Sequence, residues 1–254
     1  DAESLAKNPN IGVTPTSSSM LMYVTLDAVG RSANKMFTDA RVRKAFIMAI
    51  DRDLLIKKIV PGGDIAHINK AICFPSTIAC EPNVPVYSYN PTEARRLLAV
   101  AGHPNGIDLT IHAHEPIKYI AEAIAGEVRK IGIRASVQPL PLPVYTKMRG
   151  DGELTAFTAF FPAGSHPEMA ILWDFFFGGD RDYWQDDFIH KVMTAGDTEF
   201  DDAKRAKLYT AGLDRVNEQA YILPVSELPI VWAHSKDIVI TRNPWSAAVP
   251  ILGD

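Results

Sequence analysis

The stretch DARVRKAFIMAIDRDLLIKKIV, residues 39–60, decides the fold more than any other part of this chain. Its apolar residues recur at helical spacing, which predicts two helices that meet at a single residue. The two apolar faces consist of Val42, Ala45, Phe46, Ala49 and Ile50, and of Leu54, Leu55 and Ile59. Thr38 or Asp39 can cap the first helix, Asp51 can cap the second, and Pro-Gly-Gly at 61–63 ends it. By itself this pattern predicts a helical hairpin packed in a core.

A further helix is predicted within residues 89–106, YNPTEARRLLAVAGHPNG. Asn90 can cap it, and Pro91 occupies the first helical position, where a missing N–H costs nothing. Gly102 can adopt the left-handed conformation that ends a helix. The apolar stripe between these signals consists of Ala94, Leu97, Leu98 and Ala101. One face of this helix is therefore expected to be buried.

Strands and helices alternate along the rest of the chain. Strands are predicted at residues 20–26, 107–113, 134–139 and 154–161, with a proline-interrupted strand at 221–231. Further helices are predicted at residues 117–131, 143–149, 187–195 and 201–218. Residues 154–161 are almost continuously apolar, which is typical of a strand buried on both faces. The order predicts an α/β fold in which helices pack on a mixed β-sheet.

Composition and motif content narrow the function. The 254 residues carry a formal net charge of −4, which gives no electrostatic footprint for nucleic acid. No run of about 18 apolar residues predicts a transmembrane helix. A nucleophile elbow, a phosphate-binding loop and a carboxylate pair are all missing from the sequence, so we predict no catalytic residues. An active site assembled from distant residues stays open as an alternative.

Several segments, in the same order, resemble one protein family. Residues 39–52 are similar to its D-x-x-V-R-x-A…A-I-D-R signature, and residues 89–106 to its Y-[DN]-P-x-x-A-[RK]-x-L-L-x-x-A-G-x-x-x-G element. DDAKRAKLY at 201–209 resembles its D-x-x-x-R-x-x-L-Y helix, and AYILPV at 220–225 the short strand that follows. On these motifs the chain resembles the family 5 extracellular solute-binding proteins, the dipeptide, oligopeptide and nickel binders of ABC importers.

The resemblance implies a periplasmic-binding-protein-like fold of two lobes, of which this chain is the C-terminal half. Residues 21–227 would form lobe II, residues 1–20 a lead-in or hinge segment, and residues 228–254 the return toward lobe I. Such proteins capture a small ligand between their lobes, in the periplasm or at the cell surface, and deliver it to permease subunits in the membrane. A sensor or chemoreceptor-type binding protein is the alternative. We expect a monomer without a cofactor or a metal.

The resemblance also implies where a ligand would bind. Many peptide-binding members carry W-x-x-D-x-x-D-P after a central strand, and their first Asp pairs with the ammonium group of a peptide. Here residues 160–167 read FFPAGSHP, so that Phe160 replaces the Trp, Ala163 the first Asp and His166 the second. A buried ammonium without a carboxylate loses a charge-assisted partner. We therefore expect an apolar, aromatic or anionic ligand rather than an ordinary peptide.

Strand alternation predicts that only one of Phe160 and Phe161 reaches the cleft; the alternative is that they alternate between core and solvent faces and contact no ligand. A second candidate is the strand exit at residues 111–119, where the arginine that can bind a ligand carboxylate in peptide binders is missing. His114, Lys118 and Tyr119 are the polar residues there. His112 shares a strand face with His114, but without a third ligand we expect a solvated pair rather than a metal site.

Two aromatic segments and a cysteine pair complete the candidates. Trp173 belongs to a predicted helix with an aromatic face, for which core packing is the default and ligand contact the alternative. The segment GGDRDYW at 178–184 is expected to be exposed, either closing over a ligand or forming plain surface. Cys73 and Cys80 are expected to form a disulfide in an oxidising compartment, with two buried thiols as the alternative.

Overall fold

The structure is a computed structural model that describes residues 2–16, 20–60, 66, 68–75, 77–162, 168–241 and 251–253. The helices are α1 (Ala2–Leu5), α2 (Ala40–Met48), α3 (Arg52–Ile59), α4 (Pro91–Val100), α5 (Lys118–Arg129), α6 (Leu142–Asp151), α7 (Met169–Phe177), α8 (Asp187–Thr198) and α9 (Asp202–Glu218). The strands are β1 (Ile11–Thr16), β2 (Met20–Leu26), β3 (Ile107–His114), β4 (Ile133–Leu140), β5 (Ala156–Pro162), β6 (Ile222–Glu227), β7 (Ile230–Ser235), β8 (Val239–Thr241) and β9 (Ile251–Gly253).

The helices begin where the sequence supplies caps. The side chains of Asp39, Asp51 and Asn90 each accept a hydrogen bond from a backbone N–H in the first turn of α2, α3 and α4, respectively. After α4 the chain turns through Gly102, whose φ of +95° lies in the left-handed region that favours glycine. The helical hairpin and the helix that follows Asn90 are thus confirmed.

The main sheet is mixed, as predicted, with strand order β4-β3-β5-β2-β6. Strand β3 runs parallel to β4 and β5, whereas β2 runs antiparallel to β5 and β6. Strand β5 lies in the middle, which accounts for its continuously apolar sequence because both of its faces are covered. Two small antiparallel sheets, β1-β7 and β8-β9, lie outside it.

Two hydrophobic layers cover the faces of the main sheet. Alternate residues of β2 point to opposite faces: Met22 and Val24 join the layer that includes α2 to α5, while Leu21 and Tyr23 join the layer that includes α7 to α9. No helix in the described residues combines the length and apolar character needed to cross a bilayer.

The proline-interrupted segment at 221–231 does not form one strand, so that prediction is wrong. It divides into β6 and β7, which belong to different sheets. Pro224 lacks an N–H and is tolerated because β6 is an edge strand, and the register against β2 shifts beside it. The polar lead-in also contains a strand: β1 pairs antiparallel with β7, from Ile11 opposite Ser235 to Thr16 opposite Ile230.

The chain enters and leaves the main sheet at the same end, the one where β2 begins and where β5 and β6 finish. Met20, which begins β2, lies opposite Pro162 at the carboxyl end of β5, and Leu21 lies opposite Glu227 at the end of β6. Because β3 runs parallel to β5, the carboxyl end of β3 at His114 lies at this end as well. Strand β1 precedes β2 in the chain and β7 follows β6, so the β1-β7 pair is connected to the main sheet at this end.

Cys73 and Cys80 are joined by a disulfide, with an S–S distance of 1.99 Å and a Cα–Cα distance of 5.6 Å. Cys73 is buried in the layer that contains Phe161, and the ring of Phe74 lies 6.2 Å from the ring of Phe161. The disulfide thus closes a short loop before α4, and the packing of Phe74 against Phe161 holds this loop on β5.

Candidate ligand site at the carboxyl ends of two parallel strands

A cleft of about 510 Å³ opens at the end where the chain enters and leaves the sheet. Its walls come from the ends of β3 and β5, one face of α6, the last turns of α7 and the short helical turn Gly179–Arg181. The lining side chains include Tyr23, His114, Leu142, Tyr145, Arg149, Phe160, Pro162, Phe175, Asp180 and Arg181. Clefts at the carboxyl ends of parallel strands are where α/β proteins most often bind ligands.

The predicted aromatic pair divides between the cleft and the core. Phe160 lines the cleft, and its ring lies 5.6 Å from that of His114. Phe161 is 5% exposed and packs in the layer below, 4.6 Å from the ring of Phe175. Successive side chains of β5 point to opposite faces of the sheet, and the cleft at the end of the strand is lined from both faces, by Ala159 as well as by Phe160. His166 lies outside the described residues.

The other predicted ligand residues are only partly brought together. His114 joins Phe160 in the cleft. Tyr119 is half-buried in the first turn of α5 against the opposite hydrophobic layer and does not line the cleft, and burial raises the pKa of its hydroxyl. Trp173 is fully buried, with its ring 5.3 Å from that of Phe177, so it packs in the core, the default expected from the aromatic stripe. Trp173 has no exposed surface through which it could contact a ligand.

The expectation of a solvated histidine pair is wrong for His112. Its side chain is buried, and burial lowers the pKa of the imidazole. His112 lies opposite the buried Phe157 of β5, where this face of β3 is covered, whereas on the same face Thr110 is partly exposed and Asp108 is exposed. Among the described residues, no group of three or more His, Cys, Asp or Glu side chains lies close enough together to hold a metal ion.

The aromatic segment at 178–184 is exposed only in part: Gly179 and Asp180 are exposed, whereas its aromatic end is buried. Tyr183 and Trp184 are buried, and the indole N–H of Trp184 donates to the carbonyl of Leu26 at 3.0 Å. These two anchors hold the segment so that its polar tip, Asp180 and Arg181, reaches the cleft.

Three residues of the cleft, Tyr23, Tyr145 and Arg149, were not among the predicted ligand residues, and Arg181 was named only as part of the segment 178–184. Arg149 is 7% exposed, and its guanidinium lies 4.6 Å from the centre of the Phe175 ring. The Arg181 guanidinium lies 5.5 Å from the same ring. Tyr145 contributes a buried hydroxyl without a hydrogen-bond partner in the described residues, and the buried Tyr23 hydroxyl lies beside the Arg149 guanidinium.

The two hydroxyls and the two arginines influence one another. Burial raises the pKa of Tyr23, and the charges of Arg149 and Arg181 act in the opposite direction. Burial also raises the pKa of Tyr145, with Arg149 again opposing it. Both phenols are therefore neutral near pH 7 and can donate a hydrogen bond.

Comparison of the sequence with known protein families identifies the family of this chain. A family model described as bacterial extracellular solute-binding proteins, family 5, middle region, matches residues 1–183. The chain belongs to this family.

The relatives of this family 5 chain are binding proteins. The glutathione-binding protein GsiB of Escherichia coli K12 is 24% identical over 255 residues, which cover 92% of this chain and 47% of GsiB. The chain thus spans about half the length of the curated relatives that it matches. Neither the relatives nor the structural neighbours are enzymes, in line with the missing catalytic motifs.

Solved structures of the family share the fold. The periplasmic binding protein DppA of Helicobacter pylori, in complex with the peptide STSA, superposes with a TM-score of 0.82 at 22% identity, covering 93% of this chain and 47% of DppA. The binding protein MoaA of Agrobacterium tumefaciens R10, in complex with mannopinic acid, gives 0.80 at 19% identity, covering 93% and 49%. At these identities the likeness is one of fold.

One signal in this family 5 chain could have pointed to the missed residues. Tyr145 and Arg149 are four residues apart in α6, so they share a helix face. That helix follows β4, the edge strand beside β3. Nothing local, however, relates them to Tyr23 or Arg181, which reach the cleft from other parts of the chain.

Proposed function

We propose that this chain is the second lobe of the solute-binding component of an ABC importer. The whole protein captures a small ligand between two lobes outside the cytoplasm and delivers it to membrane permease subunits. Residues 21–227 form the lobe, residues 1–20 a hinge segment, and residues 228–254 the return. The disulfide supports an oxidising compartment, either the periplasm or the cell surface, and we expect the protein to act as a monomer.

The position of the cleft is the observation that carries this proposal. It opens at the end where β1 leads into β2 and where β6 leads into β7. Any domain attached through those two segments would lie across the mouth of the cleft. A ligand in it would then be enclosed by hinge closure, as in two-lobed binders.

We also propose that the ligand is something other than an ordinary peptide. Ala163 stands at the sequence position where peptide binders carry the carboxylate for the ammonium group. The described wall combines aromatic rings with two arginines, which suits an anion better than a cation. The names of the relatives allow this breadth, because GsiB is described as binding glutathione and MoaA was solved with mannopinic acid.

A thermal-shift screen of the full-length protein tests the proposal. The panel contains dipeptides, glutathione, aromatic acids, fatty acids, opines, sugars and nickel. A true ligand at 100 times its Kd should stabilise the protein by about 2.7 kcal/mol, and mass spectrometry should recover it unchanged. If a dipeptide gave the largest stabilisation, the proposal that the ligand is not an ordinary peptide would be wrong. Chemical conversion of the ligand would indicate an enzyme.

Uptake by cells separates a transport role from sensing. Deleting the gene of the full-length protein should abolish uptake of the ligand found in the screen. Normal uptake together with a lost behavioural or transcriptional response would favour the sensor alternative. No stabilisation by any class in the panel would contradict the binding function itself.

A further inference from the structure

Arg149 is a buried cation whose charge is poorly matched by its surroundings. The one hydrogen bond from its guanidinium in the described residues runs from Nη2 to the carbonyl oxygen of Phe175, at 3.5 Å. Its Nε is buried without a partner, and no carboxylate in the described part of the chain pairs with it. Contacts with the rings of Phe157 and Phe175 recover some of this loss. Burying a charge without a counter-charge is costly, so the site is poised for an anion.

A second buried arginine shows what a purely structural guanidinium looks like in this fold. Arg43 is as deeply buried, and it donates to the carbonyl of Phe37 at 2.6 Å and to that of Gln219 at 2.9 Å. Its ring contact with Tyr221 is similar to those of Arg149. The two arginines therefore differ in their hydrogen bonds: Arg43 is satisfied by the protein, whereas Arg149 faces the cleft with unused donors.

Other donors of the cleft lie around Arg149. Tyr145 has a buried hydroxyl without a partner in the described residues, the Tyr23 hydroxyl lies beside the Arg149 guanidinium, and both tyrosines line the cleft. Arg181 adds a second cation, which contacts the carboxylate of the exposed Asp174 only at 3.7 Å. Asp180 also lines the cleft and contributes one negative charge. The side chains that line the cleft thus include two arginines and one carboxylate, with the exposed Asp174 beside Arg181.

We propose that Arg149 and Arg181, with the hydroxyls of Tyr23 and Tyr145, bind the carboxylate of a small ligand whose apolar body contacts Phe160. The planar guanidinium matches a carboxylate, and the phenols can donate to its remaining lone pairs. This subsite deepens the proposed function and depends on it, since it names the class of ligand.

The backbone around Arg149 holds it in place before a ligand arrives. Its carbonyl accepts a hydrogen bond from the hydroxyl of Tyr183 at 2.8 Å, and the carbonyl of Gly150 accepts one from Nη2 of Arg31 at 2.7 Å. The end of α6 is thus tied to the loop that follows β2 and to the segment that carries Arg181. Such pre-organisation lowers the cost of binding.

Calorimetry on the full-length protein tests the charge requirement, with benzoate and its uncharged isostere benzamide as probes. Benzoate should bind, and benzamide should bind at least about tenfold more weakly, because one charge-assisted contact is worth that much. Equal binding of the two, or binding of neither while another panel compound stabilises the protein, would overturn the carboxylate subsite and leave the proposed function standing. If no compound of any class binds, the proposed function fails first.

Variants separate a ligand-binding role from a structural one. Arg149→Gln should weaken benzoate by about tenfold to a hundredfold and remove its preference over benzamide. Arg181→Gln should weaken it less, because Arg181 is more exposed. Arg134→Gln, which removes an exposed arginine paired with Asp108 far from the cleft, should leave benzoate binding unchanged.

Tyr145→Phe keeps the proposal testable if Arg149→Gln fails to fold. The hydroxyl has no partner in the described residues, so its removal should leave the thermal midpoint unchanged or raise it while weakening benzoate. A lower midpoint with unchanged benzoate affinity would overturn the proposal. Inorganic phosphate should bind more weakly than benzoate because it has no apolar body to contact Phe160, and tighter phosphate binding would reject a carboxylate in favour of a phosphate ligand.

Discussion

Asp186 illustrates, at the scale of single residues, how one buried carboxylate joins several elements. It caps α8 by accepting hydrogen bonds from the N–H groups of Phe188 and Ile189. It also accepts from Nε of Arg215 at 2.8 Å and from the hydroxyl of Tyr221 at 2.9 Å. Burial raises the pKa of this carboxyl, but the contacts with Arg215 and Tyr221 outweigh it and hold the pKa below its ordinary value.

The lowered pKa of Asp186 makes folding stability depend on acid. Because the folded-state pKa lies below the unfolded one, this stabilisation is fully present above about pH 4 and is lost as pH falls through the folded value. Asp186→Asn keeps the cap but removes the charge. It should lower the free energy of unfolding at pH 7 by about 1–3 kcal/mol and flatten the decline below pH 4.

Urea unfolding of the full-length protein between pH 3 and pH 7 measures this effect. The matched control is Asp201→Asn, since Asp201 caps α9 through the N–H of Lys204 and makes no ion pair in the described residues. The control should keep the acid dependence of the parent protein. If Asp186→Asn retained that dependence too, the coupling between Asp186 and Arg215 would be weaker than the geometry indicates.

At the scale of elements, close helix packing is set by glycines that no local pattern distinguishes. Gly196 lies in α8 where a Cβ would stand 2.3 Å from Cε1 of Tyr209 in α9. Gly126 lies in α5, where a Cβ would meet nothing within 4 Å. Both interrupt helices in the same way, so they form a matched pair that separates packing from helix propensity.

Replacing each glycine by alanine should have opposite effects on stability. Gly126→Ala should raise the free energy of unfolding by about 0.5–1 kcal/mol, because alanine is the better helix former. Gly196→Ala should lower it by about 1–3 kcal/mol, because the added methyl forces Tyr209 and α9 to move. Urea unfolding of the two variants measures both, and stabilisation by Gly196→Ala would mean that α8 and α9 pack more loosely than described.

The disulfide stabilises the loop between α3 and α4. Its partners are seven residues apart, a short loop for which chain entropy predicts a contribution of about 2–3 kcal/mol. Cys73→Ser with Cys80→Ser should lose about this much. Thiol titration of the unfolded, unreduced protein should find no free thiol from this pair, and two free thiols would contradict the bond.

At the scale of the whole molecule, the proposed function depends on the end of the main sheet at which the cleft opens. The cleft opens where the chain twice crosses between the main sheet and the β1-β7 pair. If a second lobe covers that end, it supplies part of the contact surface and excludes water from the arginines. The strength of the electrostatic contacts in the cleft would then depend on closure.

The isolated lobe should therefore bind its ligand weakly. Calorimetry of residues 1–254 alone should give an affinity at least about a hundredfold below that of the full-length protein, because the contacts of the other lobe are lost. Circular dichroism should first establish that the lobe is folded. Comparable affinities would mean that the site lies wholly in this lobe.

The sequence by itself determined the helices from α2 onward, the central strands of the main sheet and the family. These depend on local signals: the caps at Asp39, Asp51 and Asn90, the stop at Gly102, and an unbroken apolar run for the central strand. Such signals act within a few residues, so they can be recognised without knowing what packs against them. For the same reason, alternation in β5 was enough to predict that its two phenylalanines point to opposite faces of the sheet.

Only the tertiary structure determined where the cleft lies and which polar residues are buried. Arg149 and Tyr145 come from α6, Tyr23 from β2 and Arg181 from the turn after α7, and they meet only when the sheet and helices pack. Likewise, His112 is buried because it lies opposite Phe157 of β5, where this face of β3 is covered. A charged residue's role depends on its neighbours and its distance from water, and chain neighbours do not specify either.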